Sequence, residues 1–240
     1  MCMKLLILIV LFFFTLNVSA ELSSHGMVPD TMAERVKACT ICHYHGDNNQ
    51  ERSSYYPRIA GKLEGYLVNQ LRHFRDGRRY HQAMALLLEN MSDDYLQAIA
   101  HYFSKLDIPY PPPESIDLKP NEIELAKKLI RLGDPQRDIP ACSACHGDSL
   151  MGNMSYIPGL LGLPSAYLTA QLSDWRSGSL IRGQVTNCMS AIAKQLSYDE
   201  IIVVSRWLAT QTVEGETQKT LSPDLVKRCQ SIFLEGVAQE

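Results

Sequence analysis

Two short runs hold the most reactive side chains of this sequence, Cys39-Thr40-Ile41-Cys42-His43 and Cys142-Ser143-Ala144-Cys145-His146. Both read C-x-x-C-H. On a helical turn, two cysteines three residues apart share a face. Their sulfurs are then placed to form thioethers with the two vinyl groups of one porphyrin, while the histidine next along reaches the iron; this is the attachment pattern of a c-type haem. Zinc is the competing chemistry, but neither run has the second C-x-x-C or H-x-x-x-H that a closed tetrahedral site needs. A dithiol redox site would sit in a βαβ setting, and none surrounds either motif. Two covalently bound haems c are expected, their histidines 103 residues apart.

Each histidine supplies one axial ligand, so each iron needs another on its opposite face. Met84 lies eight residues before Ser92, and Met189 lies eight before Ser197; no other methionines match in this way. A single methionine is ordinarily core filler. Two at equivalent points, in what reads as irregular sequence between helices, point to thioether ligation, which favours ferrous iron, raises the potential and fills the coordination sphere. The expected metal ligands are therefore His43, Met84, His146 and Met189, with Cys39, Cys42, Cys142 and Cys145 holding the porphyrins. No catalytic residue is expected. Cys188, beside Met189, stands as the alternative second ligand, a thiolate that would lower the potential. His45, His73, His81 and His101 have no matching histidine in the second half and read as surface or loop residues, His81 being the rival to Met84. Arg72, Arg75, Arg78 and Arg79 form a basic cluster that reads as a solvated face, a docking patch or a propionate partner.

The elements that must position these residues fall into two similar halves. Ahead of them, residues 1–20 read as a secretory signal peptide: Lys4, an apolar run from Leu5 to Leu16, then Val18-Ser19-Ala20. Cleavage after Ala20 would leave an exported periplasmic protein with no further apolar span, 22 basic against 26 acidic residues, and six of the seven cysteines. That balance gives no reason to expect nucleic acid binding. An oxidising compartment permits a disulfide between Cys188 and Cys229.

The first unit, 21–108, is expected to be all-α. Thr31 to Glu34 form a capping box opening a helix toward Cys39. Glu64 to Arg75 carry Leu67, Leu71 and Phe74 on one face, with Gly77 as the stop. Ser92 starts a further helix bearing Leu96, Ile99, Phe103 and Leu106. A proline-rich linker, 109–120, follows. The second unit, 121–212, repeats the plan: Pro158 to Gly162 echo Pro57 to Gly61, and Tyr167 to Gly178 echo Tyr66 to Gly77, both at an offset of 101 residues. Ser197 to Glu200 form another capping box. In the tail, 213–240, the run from Pro223 to Gly236 matches Pro120 to Gly133 and reads as the first helix of a third repeat that stops short.

The paired C-x-x-C-H sites, Pro-x-x-x-Gly, Tyr-Leu-x-x-Gln-Leu, the Met eight residues before Ser and the closing helix with its aromatic residue resemble the tandem dihaem class I cytochromes of the cytochrome c4 family. The likeness covers residues 30 to 211. It implies two all-α cytochrome c domains, periplasmic location and electron carriage toward a terminal oxidase, with the residues above as haem ligands and membrane oxidases or dehydrogenases as redox partners. Two departures stand out: Tyr44-His45 separate His43 from Gly46-Asp47, and the loop from Arg176 to Met189 is four residues longer than that from Arg75 to Met84. Two other functions fit the same residues. One is the dihaem cytochrome subunit of a dehydrogenase of the flavocytochrome sulfide dehydrogenase type; the other is an enzyme resembling the dihaem thiosulfate dehydrogenases, with Cys188 as haem ligand.

Overall fold

A computed structural model describes residues 29–43, 46, 54–153, 156–179, 188–215 and 222–224. The leader, His45, Cys229 and most of the tail beyond 215 lie outside them.

In the first half, the apolar spacing of Leu67, Val68 and Leu71 forms α3 (Glu64–Arg75), which ends as expected at Gly77, whose φ of 70° suits a residue without a Cβ. It packs along α5 (Asp93–Lys105). Ser92 caps α5 by accepting a hydrogen bond from the Tyr95 N–H at 3.3 Å, and Asp93 and Asp94 lie in the first turn, where the helix dipole favours them. Leu67 and Val68 meet Ile99, Ala100 and Phe103 in one apolar cluster. The helix expected from Thr31 to Cys39 is instead two short ones, α1 (Met32–Arg35) and α2 (Lys37–Thr40). Val36 breaks them at φ −94° and ψ 8°, and its branched side chain is buried in the same cluster. Thr31 still caps the start, accepting from the Glu34 N–H at 3.3 Å.

The second half builds a separate cluster. Pro120 is the first residue of α6 (Pro120–Arg131), so the linker stops one residue earlier than expected. Ala126, Leu129 and Ile130 bury one face of α6 against Ile201, Val204 and Leu208 of α10 (Tyr198–Ala209). The Ser197–Glu200 box is complete: Ser197 Oγ accepts from the Glu200 N–H at 3.1 Å, and the Glu200 carboxylate accepts from the Ser197 N–H at 2.8 Å. α7 (Cys142–His146) carries the second haem motif, and α8 (Ser165–Ser177) is the counterpart of α3.

Two departures from expectation bear on the sites. Met84 and Met189 lie not in irregular chain but near the starts of short helices, α4 (Gln82–Leu88) and α9 (Cys188–Gln195). Their Ala, Leu and Gln residues are good helix formers, but two turns repeat the apolar spacing too few times to mark a helix. A two-residue hairpin, β1 (Gly152–Asn153) with β2 (Ile157–Pro158), also interrupts the all-α plan. Its strands close tightly because Gly152 and Gly159 lack side chains: a Cβ on either would come within 2.7 or 2.8 Å of main-chain atoms.

The proline-rich connector is bound along its length. The Glu114 N–H donates to the Ala209 carbonyl at 2.8 Å, and its carboxylate accepts from the Ser165 N–H at 3.1 Å and hydroxyl at 2.6 Å. Arg206 donates to the Asp117 carbonyl at 3.0 Å. At its start, the Tyr110 ring lies under the Arg58 guanidinium, 3.9 Å from it, and against Gly162, where a Cβ would collide with a ring carbon.

Candidate haem-binding sites

Each histidine of the two motifs is anchored by one ring nitrogen. His43 Nδ1 lies 2.8 Å from the Pro57 carbonyl oxygen and His146 Nδ1 lies 2.7 Å from that of Pro158. A carbonyl only accepts, so Nδ1 carries the proton in both and the lone pair is left on Nε2, the nitrogen that faces iron in such an arrangement. Burial pushes both imidazoles below the usual histidine range, against the pull of these carbonyls. Arg79 and His81 add to the effect on His43, and Lys62 adds to it on His146. Both rings are thereby kept neutral and ready to ligate.

Among the described residues, the four motif cysteines form no disulfide. Burial raises the Cys39 pKa and pushes Cys142 up to about 11. A thioether bears no charge, so the burial that disfavours a thiolate there suits the bonded form. Cys142 Sγ lies 3.8 Å from the Leu129 carbonyl, which ties α7 to α6. A buried donor adds to the fit: Trp175 Nε1 has no acceptor among the described residues, a cost on the order of 1–3 kcal/mol. Haem brings carboxylates that a buried N–H can serve. These residues therefore fit a haem, and in that role the cofactor would supply the iron that changes valence.

Met84 and Met189 are both partly buried, Met84 third in α4 and Met189 second in α9. The Ser190 hydroxyl donates to the Trp175 carbonyl at 3.4 Å, joining α9 to α8 just beside Met189. Cys188 is disulfide-bonded, which removes a thiolate from that position; Cys229, the partner the sequence allows, lies outside the described residues. His81 is exposed at the start of α4, its ring edge on Tyr56. His101 is also exposed, paired with Glu64 at 2.9 Å.

The arginine cluster is not an open basic patch. Arg72 pairs with Asp93 at 3.2 Å, Arg75 with Asp76 and Asp93, and Arg78 with Asp76. Arg79 instead turns inward, stacks on Phe74 at 4.6 Å and donates to Gln70 of its own half and to Tyr167 and Gln171 of the other. Composition pointed to none of the Pro57 and Pro158 carbonyls, Lys62 or the Arg79 contacts. The repeated Pro-x-x-x-Gly was the one available sign of the carbonyls.

An all-α chain with two haem-attachment motifs, each histidine oriented by a prolyl carbonyl, is a dihaem class I cytochrome c. No protein-family model matches it. The chain is 34% identical, over 72% of its length and 78% of the relative's, to a thiosulfate dehydrogenase electron acceptor of Thiomonas intermedia (strain K12). It is 32% identical to cytochrome c4 of Pseudomonas aeruginosa, over 75% and 87% of the two chains. The structure of reduced recombinant cytochrome c4 from Pseudomonas stutzeri aligns with a TM-score of 0.65 at 28% identity, covering 75% of this chain and 97% of that one. The chain belongs to the cytochrome c4 family and carries covalently bound haem c.

Proposed function

We propose that this dihaem cytochrome carries single electrons between redox proteins of the periplasm, with Cys39, Cys42, His43 and Met84 holding the first haem and Cys142, Cys145, His146 and Met189 the second. The observation that carries the assignment is the matched pair of carbonyl-anchored histidines, each with Nε2 left to the iron. A neutral, oriented imidazole and a thioether would hold the iron between them, and the cofactor so held would supply one-electron chemistry. Export by the N-terminal leader supplies the location, and among the described residues no helix is long and apolar enough to cross a membrane. Residues 21–108 and 121–212 form the two haem domains in this reading. A terminal oxidase is the acceptor in it.

The test is haem quantified against protein, with absorption spectra of the oxidised state. Two haems per chain, both showing the sulfur-to-iron charge-transfer band, are expected; replacing Cys142 and Cys145 together by Ala should leave one. A parent with one haem, or no such band, would overturn the assignment.

A second reading is favoured by the Thiomonas relative, whose name makes it the electron acceptor of a thiosulfate dehydrogenase. In that reading the chain takes its electrons from a dehydrogenase of the same kind. Reduction of the purified cytochrome by that enzyme with thiosulfate, and its absence without enzyme, is the discriminating result.

A further inference from the structure

Lys62 follows the Pro57–Gly61 turn of the first bundle, yet its side chain ends on the second. Only 7% of the residue is exposed, and Nζ donates to the Gly159 carbonyl at 2.8 Å. Among the described residues no carboxylate pairs with it; the charge that acts on it is Arg58, itself a cation. Burial together with that neighbour pushes the Lys62 pKa down to about 7. A buried cation so poorly compensated is costly to keep. The repeat does not explain it, because the position 101 residues on is Leu163.

What Lys62 holds is the carbonyl next to the one that orients the second haem's histidine. Gly159 follows Pro158, whose carbonyl anchors His146 Nδ1 at 2.7 Å. Two consecutive carbonyls leaving β2 thus bind the His146 imidazole and then an ammonium from the other half of the molecule. The glycine matters to this contact: a Cβ at 159 would come within 2.8 Å of the Met151 main chain, so no side chain fits where the strand delivers its carbonyl.

We propose that Lys62 is a positioning residue for the second haem, acting across the boundary between the bundles: its charge and its hold on Gly159 raise the reduction potential of the haem attached to His146. The inference rests on the two-haem reading. A ferric centre carries one positive charge more than a ferrous one, so a fixed cation nearby disfavours the ferric state. Lys62 is among the charges that act on His146, whereas those named for His43 are His81 and Arg79. One bundle therefore sets the potential of the other's iron.

Spectroelectrochemical titration of the holoprotein at about pH 6, below the Lys62 pKa, reads the effect. The wave of the second haem is identified as the one missing from the Cys142→Ala/Cys145→Ala variant. In Lys62→Gln that wave should move to lower potential, raising the ferric-to-ferrous ratio at fixed poise about tenfold, or about 59 mV for one electron. Lys62→Arg should restore it, and the other wave should stay in place. Lys62→Met is a second neutral variant should the glutamine form fail to fold. The proposal is overturned if both haems remain bound and neither wave moves, if both move together, or if Lys62→Arg behaves as Lys62→Gln. Haem content of the same samples separates the two readings, since a parent ratio of one would sink the dihaem assignment itself.

Discussion

His146 is held through one ring nitrogen, and the group that holds it belongs to the main chain. The Pro158 carbonyl fixes the tautomer, as Pro57 does for His43. Types and spacing marked the Cys, His and Met residues as candidates in the sequence. A main-chain acceptor leaves no such mark, and only its setting, Pro-x-x-x-Gly in both halves, was visible. Gly159→Ala tests the arrangement, since the new Cβ would meet the Met151 backbone and displace the strand that bears both carbonyls. Haem content should fall from two toward one per chain, with the first haem's spectrum kept. Under the proposed ligation, Met84→His and Met189→His should each lower one potential and abolish one half of the charge-transfer absorbance, because an imidazole stabilises ferric iron better than a thioether does.

The short elements were read less well than the long ones, for a reason of length. α3, α5, α6 and α10 each span three turns or more, so their apolar faces repeat, and serines cap the starts of α5 and α10. α4 and α9, with seven and eight residues, offer two turns, and α4 has no side-chain cap at His81. The turn into the second haem motif depends on Gly133, at φ 71°, where a Cβ would collide with the Ile139 carbonyl oxygen. Gly133→Ala should destabilise the second half by about 2 kcal/mol or more, seen as a lower thermal midpoint. Ser197→Ala removes a cap and should cost about 1 kcal/mol. The start of α10 also sets an acid limit. Arg137 pairs with Glu200 at 2.7 Å and with Asp134 at 2.8 Å, holding both carboxyls below their ordinary range. A depressed carboxyl stabilises the fold above its unfolded pKa, about 4.5 for glutamate, and loses that contribution as pH falls through the folded value. Chemical denaturation should therefore show stability declining below about pH 4.5, with a shallower decline in Glu200→Gln.

Duplication is plain at the scale of the molecule, in the 101-residue offset shared by the Pro57–Gly61 and Tyr66–Gly77 segments and in two separate apolar clusters. How the halves meet was not legible, because the residues that join them break the repeat. Lys62 crosses the boundary from the first half where the residue 101 on is Leu163, and Arg79 crosses it from the loop that differs in length between the halves and so has no fixed counterpart. The receiving residues, by contrast, are repeat pairs: Gln70 and Gln171 both accept from Arg79, and Tyr66 and Tyr167 flank it. One guanidinium thus binds two copies of the same motif. Arg79→Met would leave Gln171 and Tyr167 without that donor while sparing both haem motifs. Haem content should be unchanged, and small-angle scattering should show a larger radius of gyration.

The bound connector changes where one copy ends and the next begins. Tyr110 sits between the halves, under Arg58 of the first and against Gly162 of the second, and from Glu114 onward the strap is stitched to α8 and α10. By these contacts the strap goes with the second copy rather than standing free between the two. A recombination point placed after Tyr110 would move that copy intact into another protein, strap included.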